Sequence, residues 1–392
     1  EPTIHIETDT SDFYKNMVVK QSNENKIFLE YLLYVGSRSE EIARYRNILE
    51  SGEKESFEYS DAQRKLEKLN KEMLTFRSNL AKKHPQTFAA GIFNVMEELD
   101  LTGKVDTSDK SAAYYYYKSH FFDNLNIKDN KFLRSPFYEN KLTQYFEKVI
   151  PQLADSLIKE ATWFISQIED DRELFKFAVH KLTYLFERST IMCVDRAFVH
   201  MVDTYYRSGR VDWLSEDDLE KVLDRASKLR GVLCGETVKN IKLPDTSGVK
   251  YSSLYDLKGS YKVLYFWDAT CGHCKKTTPK LSELYLEFLK PNGIEVFGVE
   301  GEIETKEWKK FMLEHKIAFT VVSDFPEMRD KPEDFVPFKT DINSINFRHF
   351  YDLRSYPVMF VLDRENKIVG KGLGVDQLED FIKRLMERDQ NR

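Results

Sequence analysis

Residues 261–281, YKVLYFWDATCGHCKKTTPKL, decide the reading of this chain. The first seven residues, 261–267, are apolar or aromatic except for Lys262, a strand-like run. Three loop residues follow, then Cys271-Gly272-His273-Cys274, and a helical stretch begins. A CxxC at a strand-to-helix turn puts Cys271 at a helix N-terminus. Unpaired backbone N–H groups and the positive end of the helix dipole favour a thiolate there. The thiolate is the form of cysteine that reacts, and free cysteine titrates only near 8.5. Cys274, one turn later, can reach back to Cys271. The pair can therefore close a small disulfide and pass it on through a mixed disulfide, with Cys271 attacking and Cys274 resolving. A protonated His273 adds positive charge beside the thiolate, stabilises the reduced form and makes the disulfide more oxidising. The competing reading is half of a zinc site. Four-ligand zinc sites usually pair two such motifs, whereas Cys193 and Cys234 stand alone in the sequence.

Outward from the motif, strand-like runs at 261–267, 294–300, 319–323, 357–363 and 367–372 alternate with helical stretches at 274–290, 304–315 and 376–388. That alternation predicts an α/β domain over 231–392. Upstream of Gly231 the period is helical. Ser22 reads as the N-cap of the stretch SNENKIFLEYLLYV, and Leu66, Leu69, Met73, Phe76 and Leu80 form a stripe spaced for packing against another helix. Further stripes run to residue 229, so 23–230 is predicted to be an all-helical domain. Residues 1–22 hold a short β arm, with Ile4 and Ile6 alternating against polar neighbours. One strand cannot stand alone, so the arm is either the tail of a β-domain missing upstream or docked on the rest.

The 392 residues carry a net charge of −6, which gives no reason to expect nucleic acid as a partner. Four cysteines in this length exclude a disulfide-stapled mini-fold. No run of about eighteen apolar residues is present, so no transmembrane segment is expected. The chain opens on Glu1 rather than methionine, and any signal peptide or lipid anchor is expected to have been removed. Cys193 and Cys234 read as buried thiols, with a disulfide between them as the alternative. Tyr114–Tyr117 point all round a helix, some into packing and some toward an interface.

The segment YFWDATCGHCKKTTPKL resembles the active-site signature of thioredoxin-like proteins: Phe266 and Trp267 closing the strand, Cys271, Cys274, and Pro279 five residues on. RSYPVMFVLDRENKIVGKGLG is similar to that family's closing hairpin, and Pro357 matches its cis-proline beside the disulfide. KNIKLPDTSGVKYSSLYDLKGSYKVLYFW resembles the entry segment of the TlpA/ResA-like branch, which acts outside the cytoplasm. The resemblance covers roughly 236–388. It implies an α/β thioredoxin fold, a central mixed sheet flanked by helices, with Pro357, Tyr356 and Trp267 against substrate. HFFDNLN, SPFYENKLTQYFEKVIPQLADSL and SNENKIFLEYL resemble an uncharacterised helical domain that precedes thioredoxin-like domains in envelope proteins of Gram-negative bacteria. The compartment so implied is the periplasm or outer cell envelope, with lipid anchoring before processing.

The sequence also departs from that pattern. Thioredoxins bury an aspartate six residues before the first cysteine as a proton shuttle; here that position is Tyr265. Asp268 and Glu300 are the nearest substitutes, though each reads as a solvated loop carboxylate. Thr270 stands where tryptophan is usual. Residues 325–341, charged and holding three prolines, read as an inserted flexible flap.

The activity expected is exchange of the CGHC disulfide or dithiol with protein thiol or disulfide substrates, regenerated by a membrane-linked redox partner and needing no cofactor or metal. The direction of electron flow stays open. TlpA/ResA-like proteins are typically reductants, and CGHC is typical of oxidising or isomerising members. The alternative is a peptide- or partner-binding envelope module in which the helical domain dominates and the redox site is secondary.

Overall fold

The computed structural model describes residues 4–13, 15–301 and 305–390. Residues 1–3 of the expected arm and Glu304 of the expected 304–315 helix lie outside them. Two compact units form: Glu1–Ile150 with Ser166–Phe175, and Pro151–Ile165 with Lys176–Arg392. The change of texture at Gly231 is thus a change of secondary structure, and helices after residue 176 share a compact unit with the sheet.

In the first unit, Ile6–Glu7 pairs antiparallel with Val18–Val19, so the arm finds its partner within the chain. Helices follow at Asn23–Gly36, Ser39–Ser51, Phe57–Lys83, Phe88–Val95, Lys110–His120 and Pro136–Gln144. Ser22 caps the first as predicted, its hydroxyl accepting from the Asn25 amide at 3.2 Å. The Glu24 carboxylate accepts from the amides of Phe88 and Ala89, each at 2.9 Å, placing negative charge at the N-terminus of the helix Phe88–Val95. Of the stripe on Phe57–Lys83, Leu80 is buried and Leu66, Leu69, Met73 and Phe76 are half-buried, with Phe76 stacked on Tyr34 at 3.7 Å between centroids. None of the four consecutive tyrosines is fully buried, and Tyr115 is exposed.

In the second unit, the strands β1 (Tyr261–Trp267), β2 (Ile294–Glu300), β3 (Thr320–Ser323), β4 (Val358–Leu362) and β5 (Ile368–Lys371) form one sheet in the order β3-β2-β1-β4-β5. β1 is parallel to β2, which is parallel to β3; β4 is antiparallel to β1 and to β5. The helices α1 (Gly272–Leu284), α2 (Thr305–Glu314) and α3 (Val375–Gln390) complete the alternation.

All seven residues of β1 are buried, as its unbroken apolar run requires of a central strand. Alternation along β1 builds two cores. Tyr261, Val263, Tyr265 and Trp267 join Leu281 of α1, Trp308 of α2 and Ile382 of α3. On the other face, Phe266 packs on Phe347 at 5.7 Å and on Tyr351 at 4.8 Å, and the Tyr351 hydroxyl donates to the Lys239 carbonyl. Lys262 is tolerated within the run because its ammonium donates to the Asn366 side chain at 2.6 Å.

The segment 325–341 is tied down near its two ends, while Phe338 between them is exposed. Met328 is fully buried, and Thr340 is 4% exposed. Cys193 and Cys234 are not free thiols: they form a disulfide with Cα atoms 5.5 Å apart. Lys371 of β5 reaches the same junction, donating to the Asp195 carboxylate and, at 2.6 Å, to the Val232 carbonyl. Gly235 (φ 92°) takes the left-handed conformation that turns the chain there, and its amide donates to the Ile368 carbonyl at 2.8 Å. No helix among the described residues is long and apolar enough to cross a membrane.

Candidate active site

The CxxC lies where β1 ends and α1 begins, at the carboxyl edge of the parallel strands, where sheets of this kind present their sites. The turn is shaped by Asp268. Its carboxylate accepts from both the amide and the hydroxyl of Thr270 at 2.6 Å, and its carbonyl accepts from the Cys271 amide at 3.2 Å. Cys271 is the N-cap of α1 and half-buried. Its thiol donates to the Tyr356 carbonyl at 3.4 Å, across 85 residues of chain. The Tyr356–Pro357 bond is cis.

Cys274, on the first turn of α1, is fully buried. Burial pushes its thiol up to about 12, and the neighbouring Cys271 adds to that effect. The two thiols therefore differ in kind: one is accessible, and the other stays protonated in an apolar core until it reacts. Tyr265, where a buried aspartate was the expectation of the family, is also fully buried. Its hydroxyl is 3.0 Å from that of Thr278, and burial raises its phenol well above the ordinary range. A neutral hydrogen-bonded pair thus stands where a carboxylate would.

Glu300 is not the solvated carboxylate the sequence suggests. It has no exposed surface, because it ends β2 beneath the active-site loop. Its carboxylate accepts from the Ala269 amide at 3.4 Å and from the Ser323 hydroxyl at 3.3 Å. Asp268 is half-exposed. Trp267, expected against substrate, has no exposed surface either. It packs on Phe311 at 5.4 Å and belongs to the core. His273 is exposed on the rim of a groove of about 410 Å³, which is also lined by Tyr265, Thr277, Pro357, Val358 and Leu373. Cys271, Cys274, Pro357 and Tyr356 thus converge, His273 borders them, and Trp267 supports them from within. The Cys193–Cys234 disulfide leaves neither of those cysteines free to complete a zinc set with the CxxC.

Sequence reasoning missed Arg348 and Asp324. Asp324, fully buried, accepts two bonds from the Arg348 guanidinium at 2.8 and 2.9 Å. Arg348 also donates to the Gly301 carbonyl at 3.0 Å. An acid next to a strand end and an arginine inside an apolar stretch were visible in the sequence. Their pairing across 24 residues was not.

A mixed sheet of this order, with a CxxC at the turn from its central strand into a helix, defines a thioredoxin-like domain. More specifically, residues 234–371 match the model of the AhpC/TSA family. Residues 105–229 match the model of a domain of unknown function, DUF5106. The chain is similar to the thiol-disulfide oxidoreductase ResA of Bacillus subtilis (strain 168), 30% identical over 135 residues, or 34% of this chain and 64% of the relative. It is 27% identical over 139 residues to the thioredoxin-like protein YneN of the same organism, or 35% of this chain and 70% of that one. The chain thus spans about two thirds of the length of these curated relatives. A crystal structure of a thioredoxin-like protein from Bacteroides caccae ATCC 43185 aligns over 69% of this chain and 92% of its own, with 17% identity and a TM-score of 0.52. That likeness is one of fold.

Proposed function

We propose that this chain is an extracytoplasmic thiol–disulfide oxidoreductase that exchanges its Cys271–Cys274 pair with protein substrates through a mixed disulfide. The observation that carries the reading is the asymmetry of the pair. Cys271 is accessible at a helix N-terminus, and Cys274 is buried one turn behind it with its thiol pushed up to about 12.

In the reducing direction, the Cys271 thiolate attacks one sulfur of a substrate disulfide. A Cys271–substrate disulfide forms, and the first substrate thiolate leaves. Cys274 then attacks Sγ of Cys271 and its proton passes to the departing second sulfur. The substrate ends as a dithiol and the protein as the Cys271–Cys274 disulfide. The oxidising direction is the same sequence reversed. Pro357 and the Tyr356 main chain form the wall against which an extended substrate lies, and His273 biases the pair toward the dithiol. A membrane-linked redox partner restores the starting state. The Cys193–Cys234 disulfide supports an oxidising compartment, the periplasm or outer cell envelope. We assign the redox module to 231–392, after the helical stretch 23–230.

Equilibration with glutathione tests this reading. One two-electron transition is expected at Cys271–Cys274, with a potential above the roughly −270 mV of thioredoxin. A pair that stays a dithiol at every glutathione ratio overturns the proposal.

A further inference from the structure

Arg348 comes from the short helix Phe347–Phe350, in the segment that separates β3 from β4. Its guanidinium is held on several sides. The fully buried Asp324 accepts from it twice, the Gly301 carbonyl accepts at 3.0 Å, and Arg329 lies 3.3 Å from the same aspartate. A bidentate arginine–carboxylate pair fixes direction as well as distance. The Gly301 whose carbonyl accepts from Arg348 is also the residue against which the Tyr356 phenol packs. Gly301 makes room for that phenol: a Cβ there would stand 2.2 Å from the Tyr356 hydroxyl oxygen. Residue 356 is thus fixed at both ends. Its phenol packs at Gly301, whose carbonyl Arg348 holds, and its own carbonyl accepts from the Cys271 thiol at 3.4 Å. The Arg348 side chain is partly exposed and no bond joins it to either thiol, so its reach into the site runs through Tyr356.

We propose that Arg348, locked by Asp324, is a positioning residue that sets the Tyr356 main chain against Cys271 and so selects extended peptide disulfides over small ones. The inference rests on the thiol-exchange function proposed above. A peptide substrate uses the 356 carbonyl and its neighbours for strand-like pairing beside the disulfide. A small disulfide such as oxidised glutathione needs the sulfur far more than the strand. Losing the clamp therefore weakens reaction with a folded or peptide disulfide and spares reaction with the small one. A merely structural arginine changes both or neither.

The test is a double-mutant cycle on the full chain with Arg348→Met and Tyr356→Phe, plus Arg348→Lys as the conservative variant. Two readouts are taken: kcat/KM for reduction of a protein disulfide such as insulin, and the rate of reaction of Cys271 with oxidised glutathione. For Arg348→Met the protein-disulfide kcat/KM is expected to fall about tenfold, the scale of one charge-assisted hydrogen bond. Its glutathione rate is expected to stay within about twofold, since that reaction leaves the peptide wall unused. Arg348→Lys recovers part of the loss. In the Tyr356→Phe background, removing Arg348 costs little more, because its effect is already gone. Equal losses on both substrates, or additive losses of Arg348 and Tyr356, overturn the proposal. Should Arg348→Met fail to fold, Tyr356→Phe alone carries the test: it is expected to lose protein-disulfide turnover selectively, and an unchanged ratio of the two substrates refutes the clamp. A wild-type chain inactive toward both disulfides refutes the oxidoreductase reading itself.

Discussion

Replacing Cys193 and Cys234 by alanine removes a crosslink between positions 41 residues apart. Closing a loop of that length withdraws about 4 kcal/mol of conformational entropy from the unfolded chain at 25 °C on the chain-entropy account. Both cysteines lie in the second compact unit, so the loss falls on the unit that carries the sheet and the CxxC. For a unit of 150–250 residues, 1 kcal/mol corresponds to about 2–4 °C, so the transition is expected to fall by roughly 8–16 °C. Scanning calorimetry under oxidising conditions reads this directly, and full reduction of the wild type should lower the same transition comparably. A double-alanine chain that melts within about 2 °C of the wild type refutes the claim that this disulfide constrains the unfolded chain.

Two further outcomes concern the redox pair. Because burial holds the Cys274 thiol up to about 12, the reduced protein keeps that proton throughout the working range. At least one proton then accompanies each two-electron reduction, and the potential should keep falling by about 30 mV or more per pH unit between pH 8 and 11. A potential that becomes independent of pH below 11 contradicts the buried, protonated assignment. His273→Pro removes a polar, ionisable ring from the second position of α1 and should shift the potential downwards by about 30 mV, because a less stabilised thiolate means a less stable dithiol. Identical glutathione equilibria for the two proteins show that His273, exposed on the rim, sets no part of the poise.

The readable part of this molecule was the part governed by local pattern. Residues 261–267, apolar but for Lys262, could be stable only between two covered faces, and they became the central strand. The turn after them, CGHC at the head of a helical period, located both thiols. What escaped the sequence depended on distant partners. Trp267 sits at a strand end, where an indole reads as a surface group, yet it pairs with Glu300 in a parallel register and Phe311 covers it. Glu300 looked solvated for the same reason, and it is buried because the Ala269 amide and the Ser323 hydroxyl arrive from two other segments. The clamp on Tyr356 needed Asp324 and Arg348 from either side of an insertion that composition alone marks as a loop. The unit boundary was hidden because residues 151–165 and 166–175 carry the same helical period and belong to different compact units.

The central claim, attack by Cys271 and resolution by Cys274, is tested most directly by trapping. The Cys274→Ser chain is incubated with a protein disulfide, quenched in acid and read by mass spectrometry under non-reducing conditions. The account predicts a stable mixed disulfide at Cys271 in that chain, and no adduct at the motif in Cys271→Ser. Normal turnover by Cys274→Ser, or an adduct trapped on Cys274 in the Cys271→Ser chain, would contradict it.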